Sequence, residues 1–251
     1  MILSNIRNMV IRIIQHELWL DGGEYISWAN RHNYELVYTK CFEYEPIPTK
    51  VDADMLIILG GPQNPAMSKK ECPYFDAAKE RELILSYVLA NRVVIGSCLG
   101  AQLIGEALGA KYSHSPYPEV GYIKGVLTEE GKKEKYFLHF PNTMNIGGWH
   151  YDMPGLTGKA VVIMKSEGCP RQIIKYGQFV YGFQTHIEFN HQSYVNGLKH
   201  NNDALIIKSP YICGKEDILS FDTTEMNKAL SLFLDKITKD YLKTKKYGFL
   251  Y

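Results

Sequence analysis

The sequence has almost no excess of charge of one sign. Its 251 residues include 28 Lys and Arg against 27 Asp and Glu, a formal net charge of +1. This balance argues against a protein that binds nucleic acid or a membrane surface through bulk charge. Charged residues make up 22% and hydrophobic residues 45% of the chain, which excludes disordered and collagen-like chains.

Cysteines are few and long apolar runs are missing. The five cysteines are widely spaced, odd in number and without a C-x-x-C pair, which disfavours a disulfide framework or a structural zinc site. No apolar run approaches the roughly 18 residues of a membrane span. Met1–Gln15 contains Arg7 and Arg12 and no small-residue cleavage site follows, so we expect no secretory signal. These features predict a protein of the reducing cytoplasm.

The first half of the chain alternates short apolar segments with helical patterns. The predicted strands are Met9–Ile14, Glu35–Thr39, Ala53–Leu59 and Arg92–Ile95, and the predicted helices are Gly23–Arg31, Pro73–Asn91 and Leu99–Leu108. Continuous apolar strands are typical of a parallel sheet that is buried on both faces. The pattern therefore predicts an α/β fold with an open, mostly parallel sheet and helices on both faces.

The second half is rich in short β-strands separated by turn signals. The predicted strands are Gly121–Leu127, Thr143–Gly147, Ala160–Lys165, Gln172–Tyr176 and Phe179–Gln184. A helix is predicted from Thr223, and Asn201–Ser220 is interpreted as a loop. Because no repeat, linker or domain boundary is visible, residues 1–251 are expected to form a single domain.

The strongest chemical signal is a glycine-flanked cysteine between a buried strand and a helix. Gly96-Ser97-Cys98-Leu99-Gly100 has the G-x-C-x-G pattern of a nucleophile elbow. The glycines permit a sharp turn that places the central side chain above the end of the strand. The N-terminus of the following helix favours the thiolate, and the amide of Leu99 can donate to an oxyanion. The alternative is a small buried cysteine between incidental glycines.

Two further segments supply partners for a cysteine nucleophile. His186 and Glu188 are two residues apart in an extended segment, so both side chains can project to the same side. The alternative is a surface histidine and glutamate at a strand end. Gly60-Gly61-Pro62 follows a predicted strand, where open α/β sheets place ligands; an ordinary tight turn is the alternative.

Three segments in this order resemble the class I, or triad, glutamine amidotransferases. They are GGP at 60–62, GSCLGAQ at 96–102 and FQTHIEF at 183–189, similar to the family's oxyanion loop, elbow and H-P-E segment. Ile187 replaces the usual proline, while the histidine and glutamate are retained. Pro118–Tyr122 and Trp149–Asp152 resemble the stand-alone, GMP-synthase-like branch. The resemblance covers about Met9 to His191 and implies the flavodoxin-like fold of that family.

The resemblance implies a role for each matching residue. Cys98 would attack the γ-amide carbon of glutamine, His186 would transfer the proton to ammonia, and Glu188 would orient His186. The amides of Gly61 and Leu99 would form the oxyanion hole. Water would then hydrolyse the γ-glutamyl thioester.

Substrate contacts are expected from Gly60, Gln102 and His150, although His150 could instead fix a loop. The resemblance implies no metal or organic cofactor. The chain has no P-loop motif and no room for a synthetase domain, so an ammonia acceptor enzyme would be a separate polypeptide. Without an acceptor, the protein would hydrolyse glutamine or another γ-glutamyl compound by itself.

Other functions remain open from the sequence. A dienelactone-hydrolase-like enzyme could combine Cys98 with Asp152 and His186, in the chain order of α/β-hydrolases. A DJ-1-like redox or binding protein would share the elbow cysteine but lack the H-x-E pair. His186, Glu188 and His191 do not form an H-E-x-x-H metal motif. His16 could edge the pocket, although a solvated loop histidine is commoner.

Overall fold

A nine-stranded mixed sheet forms the centre of the part of the chain that the computed structural model describes, residues 9–247. The strands are β1 Val10–Gln15, β2 Glu35–Lys40, β3 Met55–Ile58, β4 Val93–Ser97, β5 Ser113–Leu127, β6 Thr143–Met153, β7 Val161–Lys165, β8 Ile173–Gly177 and β9 Val180–Phe183. Their order is β2-β1-β3-β4-β9-β8-β7-β5-β6. The first five of these run parallel, and the pairings from β9 to β6 are antiparallel.

Helices cover both faces of the sheet. They are α1 Gly23–Arg31, α2 Ala77–Leu89, α3 Leu99–Ala107, α4 His191–His200, α5 Lys215–Ser220 and α6 Thr224–Tyr247. Core residues of α1 and α6 pack on one face, and those of α2 and α3 pack on the other. None of these helices within residues 9–247 is long and apolar enough to cross a membrane.

Strand β3 is apolar throughout because its side chains alternate between the two cores. In β3, Ile57 belongs to the core that contains Trp28 of α1, whereas Leu56 belongs to the core that contains Ile84 of α2. All four residues of β3 are buried. Side chains of a strand alternate between faces, so a sheet buried on both sides requires apolar residues at successive positions.

The predicted fold class is confirmed, and the differences concern element boundaries. The β-rich second half extends the parallel sheet as an antiparallel meander. Helix α2 begins at Ala77 rather than at Pro73, because the side chain of Asp76 caps it by accepting a hydrogen bond from the Lys79 amide at 3.2 Å. Strand β5 begins at Ser113, before its two prolines, and its irregular register there explains why the sequence pattern missed it.

The interpretation of Asn201–Ser220 as a loop is wrong in part. The segment contains a 3₁₀ turn at Asn202–Ile206 and helix α5. Between them the Cys213 amide donates to the carbonyl of Val120 at 2.9 Å, which ties the segment to β5. Helix α4 was not predicted. The expectation that Met1–Gln15 contains no secretory signal stays a prediction. Residues 1–8 of this segment lie outside the described residues.

The parallel half of the sheet determines where polar residues meet. Strands β1, β3, β4 and β9 are parallel neighbours, so their carboxyl ends lie at one edge. His16, Cys98 and Gln184 follow the ends of β1, β4 and β9 directly, and Gly60 lies two residues beyond β3. The fold thus brings four distant stretches of sequence to one place.

We predict that Gly100→Ala destabilises the protein because α3 packs closely on β3 there. A methyl group at Gly100 would lie 2.2 Å from the backbone oxygen of Ile58. The free energy of unfolding, measured by urea denaturation, should fall by about 1–3 kcal/mol. Gly158→Ala is the matched control, since an added methyl there meets nothing within 4 Å. Equal loss of stability in both variants would contradict this packing argument.

Candidate active site

Cys98 occupies a strained turn between β4 and α3. Its φ of 50° lies in the left-handed region that non-glycine residues rarely adopt. The flanking glycines make this turn sterically feasible: a methyl group at Gly96 would lie 2.3 Å from the carbonyl carbon of Gly100. The Cys98 amide donates to the carbonyl of Phe183 at 2.7 Å. The elbow predicted from the sequence is therefore present, with 7% of Cys98 exposed.

His186 and Glu188 form a buried pair just beyond β9. The distance from His186 Nδ1 to Glu188 Oε1 is 2.8 Å, and each residue is 3% exposed. The His186 amide donates to the carbonyl of Gly147 at 2.9 Å, and its ring stacks on Phe189 at 4.1 Å between centroids. Glu188 and Phe189 therefore orient the imidazole, and the backbone bond holds the segment that carries it.

Gly60 brings the sulfur and the imidazole together. A methyl group at Gly60 would lie 3.4 Å from Cys98 Cβ and 3.0 Å from His186 Cε1. A side chain here would crowd the imidazole, so glycine is favoured at this position. Cys98 and His186 also line the same cavity. The three residues that the sequence predicted as a triad are thus brought together.

The environment favours the imidazolium form of His186. Burial lowers the pKa of His186, but the negative charge of Glu188 and the interaction with Cys98 outweigh burial and raise it overall. An imidazolium beside a sulfur atom stabilises a thiolate. The arrangement is suited to a cysteine that attacks as a thiolate and a histidine that then donates a proton.

Two residues that sequence reasoning did not assign contact the sulfur. Gln184 Nε2 donates to Cys98 Sγ at 3.4 Å, and the carbonyl oxygen of Trp149 lies 3.9 Å from the same atom. Gln102 Nε2 in turn donates to Gln184 Oε1 at 3.2 Å and orients that amide. The spacing rule for extended segments does not explain this contact, because the chain bends at 184–185, directly after β9.

A cavity of about 460 Å³ opens over Cys98. The predicted site residues Gly61, Gln102, His150 and His186 line it as well. Gly60 and His186 line a smaller pocket next to this cavity. Leu99 is the first residue of helix α3 and directly follows Cys98. The cavity size is ordinary for a small-molecule site.

His150 belongs to a second buried network. Its Nε2 lies 3.1 Å from Glu119 Oε2, and Gln172 and Ser166 also donate to Glu119. Within residues 9–247, His150 Nδ1 and Gln102 Oε1 have no hydrogen-bond partner although both atoms are buried. Buried polar atoms are nearly always paired, so two unpaired acceptors in cavity-lining residues indicate where a ligand donor can bind.

The alternative triad with Asp152 is not assembled. Asp152 Oδ1 lies 2.6 Å from His114 Nδ1, whereas His186 Nδ1 is occupied by Glu188. His191 begins helix α4, and among residues 9–247 no group of three or more close metal-ligand side chains contains His186 or His191. His186 therefore contacts Glu188, the carboxylate partner that the H-x-E spacing suggested.

In the described part of the chain, residues 9–247, two buried groups of side chains have metal-ligand atoms within 4.8 Å of one another. They are His16 with Cys41 and Glu80, and Glu119 with His150 and Cys169. In each group the imidazole already contacts the carboxylate. Burial raises the pKa of both cysteines, that of Cys169 to about 11, which disfavours the thiolate that metals require. The expectation of a metal-free site stays a prediction.

Comparison with known proteins places this geometry in a family. The sequence model of the family described as "Glutamine amidotransferase class-I" matches residues 20–202. The glutamine amidotransferase-like protein YfeJ of Salmonella typhimurium is 41% identical over 233 residues, which are 92% of this chain and 98% of that protein. One of the subunits of the glutamine-hydrolyzing GMP synthase of Pyrococcus abyssi is 26% identical over 122 residues, 48% of this chain and 63% of that protein.

Solved structures show the same architecture. The crystal structure of SMU.1228c superposes with a TM-score of 0.88 at 41% identity and covers 92% of this chain and 100% of that one. A glutamine amidotransferase of Thermotoga maritima gives a TM-score of 0.81 at 21% identity, covering 92% of this chain and 99% of that one. At this lower identity the likeness concerns the fold.

We predict that Glu188→Gln lowers the pKa of His186. The carboxylate raises this pKa, so its replacement by a neutral amide should move the titration of the His186 ring to lower pH by about one pH unit or more. NMR titration of the ring measures this directly. Glu130→Gln, at an exposed turn, is the control and should leave the titration in place. An unchanged His186 titration in Glu188→Gln would refute the electrostatic role of Glu188.

Proposed function

The chain belongs to the class I glutamine amidotransferase family, and from this membership and the site geometry we propose that it hydrolyses the γ-amide of glutamine or a related γ-glutamyl compound. The single observation that carries the proposal is the convergence of Cys98, His186 and Glu188 beside a cavity that small molecules can enter. A nucleophile, a base and a group that orients the base are the elements of covalent acyl transfer.

In the first half-reaction, the Cys98 thiolate attacks the γ-carbonyl carbon of the substrate. The backbone amides of Gly61 and Leu99 would donate to the resulting oxyanion. The His186 imidazolium then gives its Nε2 proton to the leaving nitrogen, the C–N bond breaks, and ammonia or an amine departs. Glu188 keeps the Nδ1–H of His186 in place throughout. A γ-glutamyl thioester remains on Cys98.

In the second half-reaction, neutral His186 takes a proton from water, which attacks the thioester carbon. The C–S bond breaks, and the thiolate of Cys98 is restored beside the imidazolium. When the substrate is glutamine, the acid that leaves is glutamate. The balance requires water alone, so we propose no metal or organic cofactor. The thiol must stay reduced, which fits the reducing cytoplasm as the compartment.

Substrate recognition is proposed for Gly60, Gln102 and His150. The unpaired acceptors Gln102 Oε1 and His150 Nδ1 suit the N–H groups of a carboxamide or an α-ammonium. Glu119 contacts Nε2 of His150, which favours a proton on that nitrogen and leaves Nδ1 as the acceptor. We therefore assign His150 a substrate-binding role rather than a purely structural one.

A separate synthetase is the proposed user of the ammonia. The chain is similar to the GMP synthase polypeptide of Pyrococcus abyssi, whose name describes one subunit of a glutamine-hydrolyzing enzyme. Residues 1–251 are proposed as one amidotransferase domain that would deliver ammonia to an acceptor polypeptide.

A stand-alone γ-glutamyl hydrolase is the second candidate. It is favoured by the aromatic wall of the cavity, where the rings of Trp19 and His200 stack at 5.3 Å with an interplanar angle of 7°. Such a wall could hold the amine part of a substrate larger than glutamine.

We predict that Cys98→Ala abolishes release of ammonia from glutamine. Loss of a covalent nucleophile should reduce kcat by about 10³-fold or more, as measured with a coupled glutamate assay. A panel of γ-glutamyl amides in the same assay distinguishes the two candidates. Wild-type turnover by Cys98→Ala would disprove the proposal.

A labelling experiment tests the pocket without requiring turnover, and so also covers a chain that needs its synthetase for activity. A glutamine-like diazo ketone should add to Cys98, as located by peptide mass spectrometry. Cys213 is the internal control because it is more exposed than Cys98. Labelling of Cys213 in preference to Cys98 would show general thiol reactivity instead of a γ-glutamyl pocket.

A further inference from the structure

His16 lies at the end of β1 and is fully buried, contrary to the expectation of a solvated loop histidine. Its Nε2 is 3.0 Å from Glu80 Oε2, and its Nδ1 is 3.2 Å from the carbonyl oxygen of Gly60. Glu80, in the first turn of α2, is only 1% exposed. The edge of the His16 ring also contacts Phe75, with 5.8 Å between ring centroids.

The partners determine where the protons of the His16 ring reside. A carbonyl oxygen can only accept a hydrogen bond, so Nδ1 must carry a proton to bind Gly60. Nε2 shares its proton with the carboxylate of Glu80. Burial lowers the pKa of His16, but Glu80 and the Gly60 carbonyl together raise it. By raising the pKa of His16, Glu80 keeps Nδ1 protonated, so that Nδ1–H can donate to the Gly60 carbonyl.

The hydrogen bond to the Gly60 carbonyl has a consequence for the next amide. No cis peptide bond occurs within residues 9–247, so the Gly60–Gly61 peptide is trans. In a trans peptide the C=O and the following N–H point in opposite directions. Because the Gly60 oxygen faces His16, the Gly61 N–H points away from His16. Gly61 lines the cavity that also contains Cys98.

This peptide needs an external support. The peptide is closely surrounded: a methyl group at Gly61 would lie 2.3 Å from Gln63 Oε1 and 3.2 Å from His16 Cβ. Two successive glycines have far more backbone freedom than other residues, so the peptide between them can rotate more easily. A rotated peptide would present a carbonyl, rather than an N–H, to the developing oxyanion.

We propose that His16, held by Glu80, is a positioning residue that orients the Gly60–Gly61 peptide so that the Gly61 amide faces the oxyanion. This inference rests on the proposed function for its catalytic consequence, whereas the orientation itself concerns the unliganded protein. His16 acts through the peptide and does not touch the reacting atoms. His16 thus supports the proposed oxyanion hole from a position outside the three recognised motifs.

Two amide substitutions separate the bonds that His16 makes. In His16→Asn the side-chain nitrogen takes a place close to Nδ1 and can still donate to Gly60. In His16→Gln the nitrogen lies nearer Nε2 and can reach Glu80 instead. The two variants are matched in chemistry and differ by one methylene group. Crystal structures of both unliganded variants and their kcat and KM for glutamine provide the comparison.

We expect the Gly60 carbonyl to stay in place in His16→Asn and to rotate away in His16→Gln. Loss of one oxyanion donor should lower kcat of His16→Gln by about 10²–10³-fold with little change in KM, and His16→Asn should retain at least about tenfold more of the wild-type kcat. A Gly60 carbonyl in its original orientation in His16→Gln would overturn the inference. So would equal kcat values in two folded variants.

The wild-type protein provides a test that needs no variant. In ¹⁵N NMR spectra of the His16 ring, Nδ1 should be protonated and should show coupling through the hydrogen bond to the Gly60 carbonyl carbon. An unprotonated Nδ1 would refute the inference whether or not any variant folds. Failure of the proposed function is recognised separately, because in that case the wild-type protein would neither release ammonia from glutamine nor be labelled at Cys98.

Discussion

The left-handed turn at Cys98 is the constraint on which the site depends. A non-glycine residue in this conformation costs on the order of 1–3 kcal/mol, and it persists only when its surroundings determine it. Here β4 is buried between two parallel neighbours, and α3 approaches β3 so closely that a methyl group at Gly100 would lie 2.2 Å from the Ile58 oxygen. The hydrogen bond from the Cys98 amide to Phe183 couples the turn to β9. The strand that delivers His186 therefore also holds the cysteine.

Buried imidazole–carboxylate pairs surround this turn. His186 pairs with Glu188 beyond β9, His16 pairs with Glu80 behind the glycine loop, and His150 contacts Glu119 at the meander. Each carboxylate fixes one nitrogen of its imidazole ring, so the orientation of the second nitrogen is fixed as well. The remaining nitrogen faces the sulfur in the first pair and the Gly60 carbonyl in the second, and it is unpaired in the third. In a low-dielectric interior such fixed hydrogen bonds make a preorganised site.

Sequence reasoning predicted the elements whose signals are local. The elbow needs only five residues between a strand and a helix. The H-x-E pair also meets as predicted, although Ile187 and Glu188 lie in a turn rather than in the extended segment that the spacing argument assumed. The contact between His150 and Glu119 could not be derived in this way, because it depends on the register of β5 against β6. The same holds for His16 and Glu80, which are 64 positions apart and meet only after α2 packs on the sheet. Residues 201–220 were misread because α5 is short and its apolar signal is weak.

The central claim is that the sulfur of Cys98 becomes acylated. Mixing the wild-type protein with glutamine, quenching in acid within the first turnovers and mapping peptides by mass spectrometry tests this directly. The account predicts a γ-glutamyl thioester on the peptide that contains Cys98, which disappears as the substrate is exhausted. Steady release of ammonia without any adduct on Cys98, or with the acyl group on another residue, would contradict it.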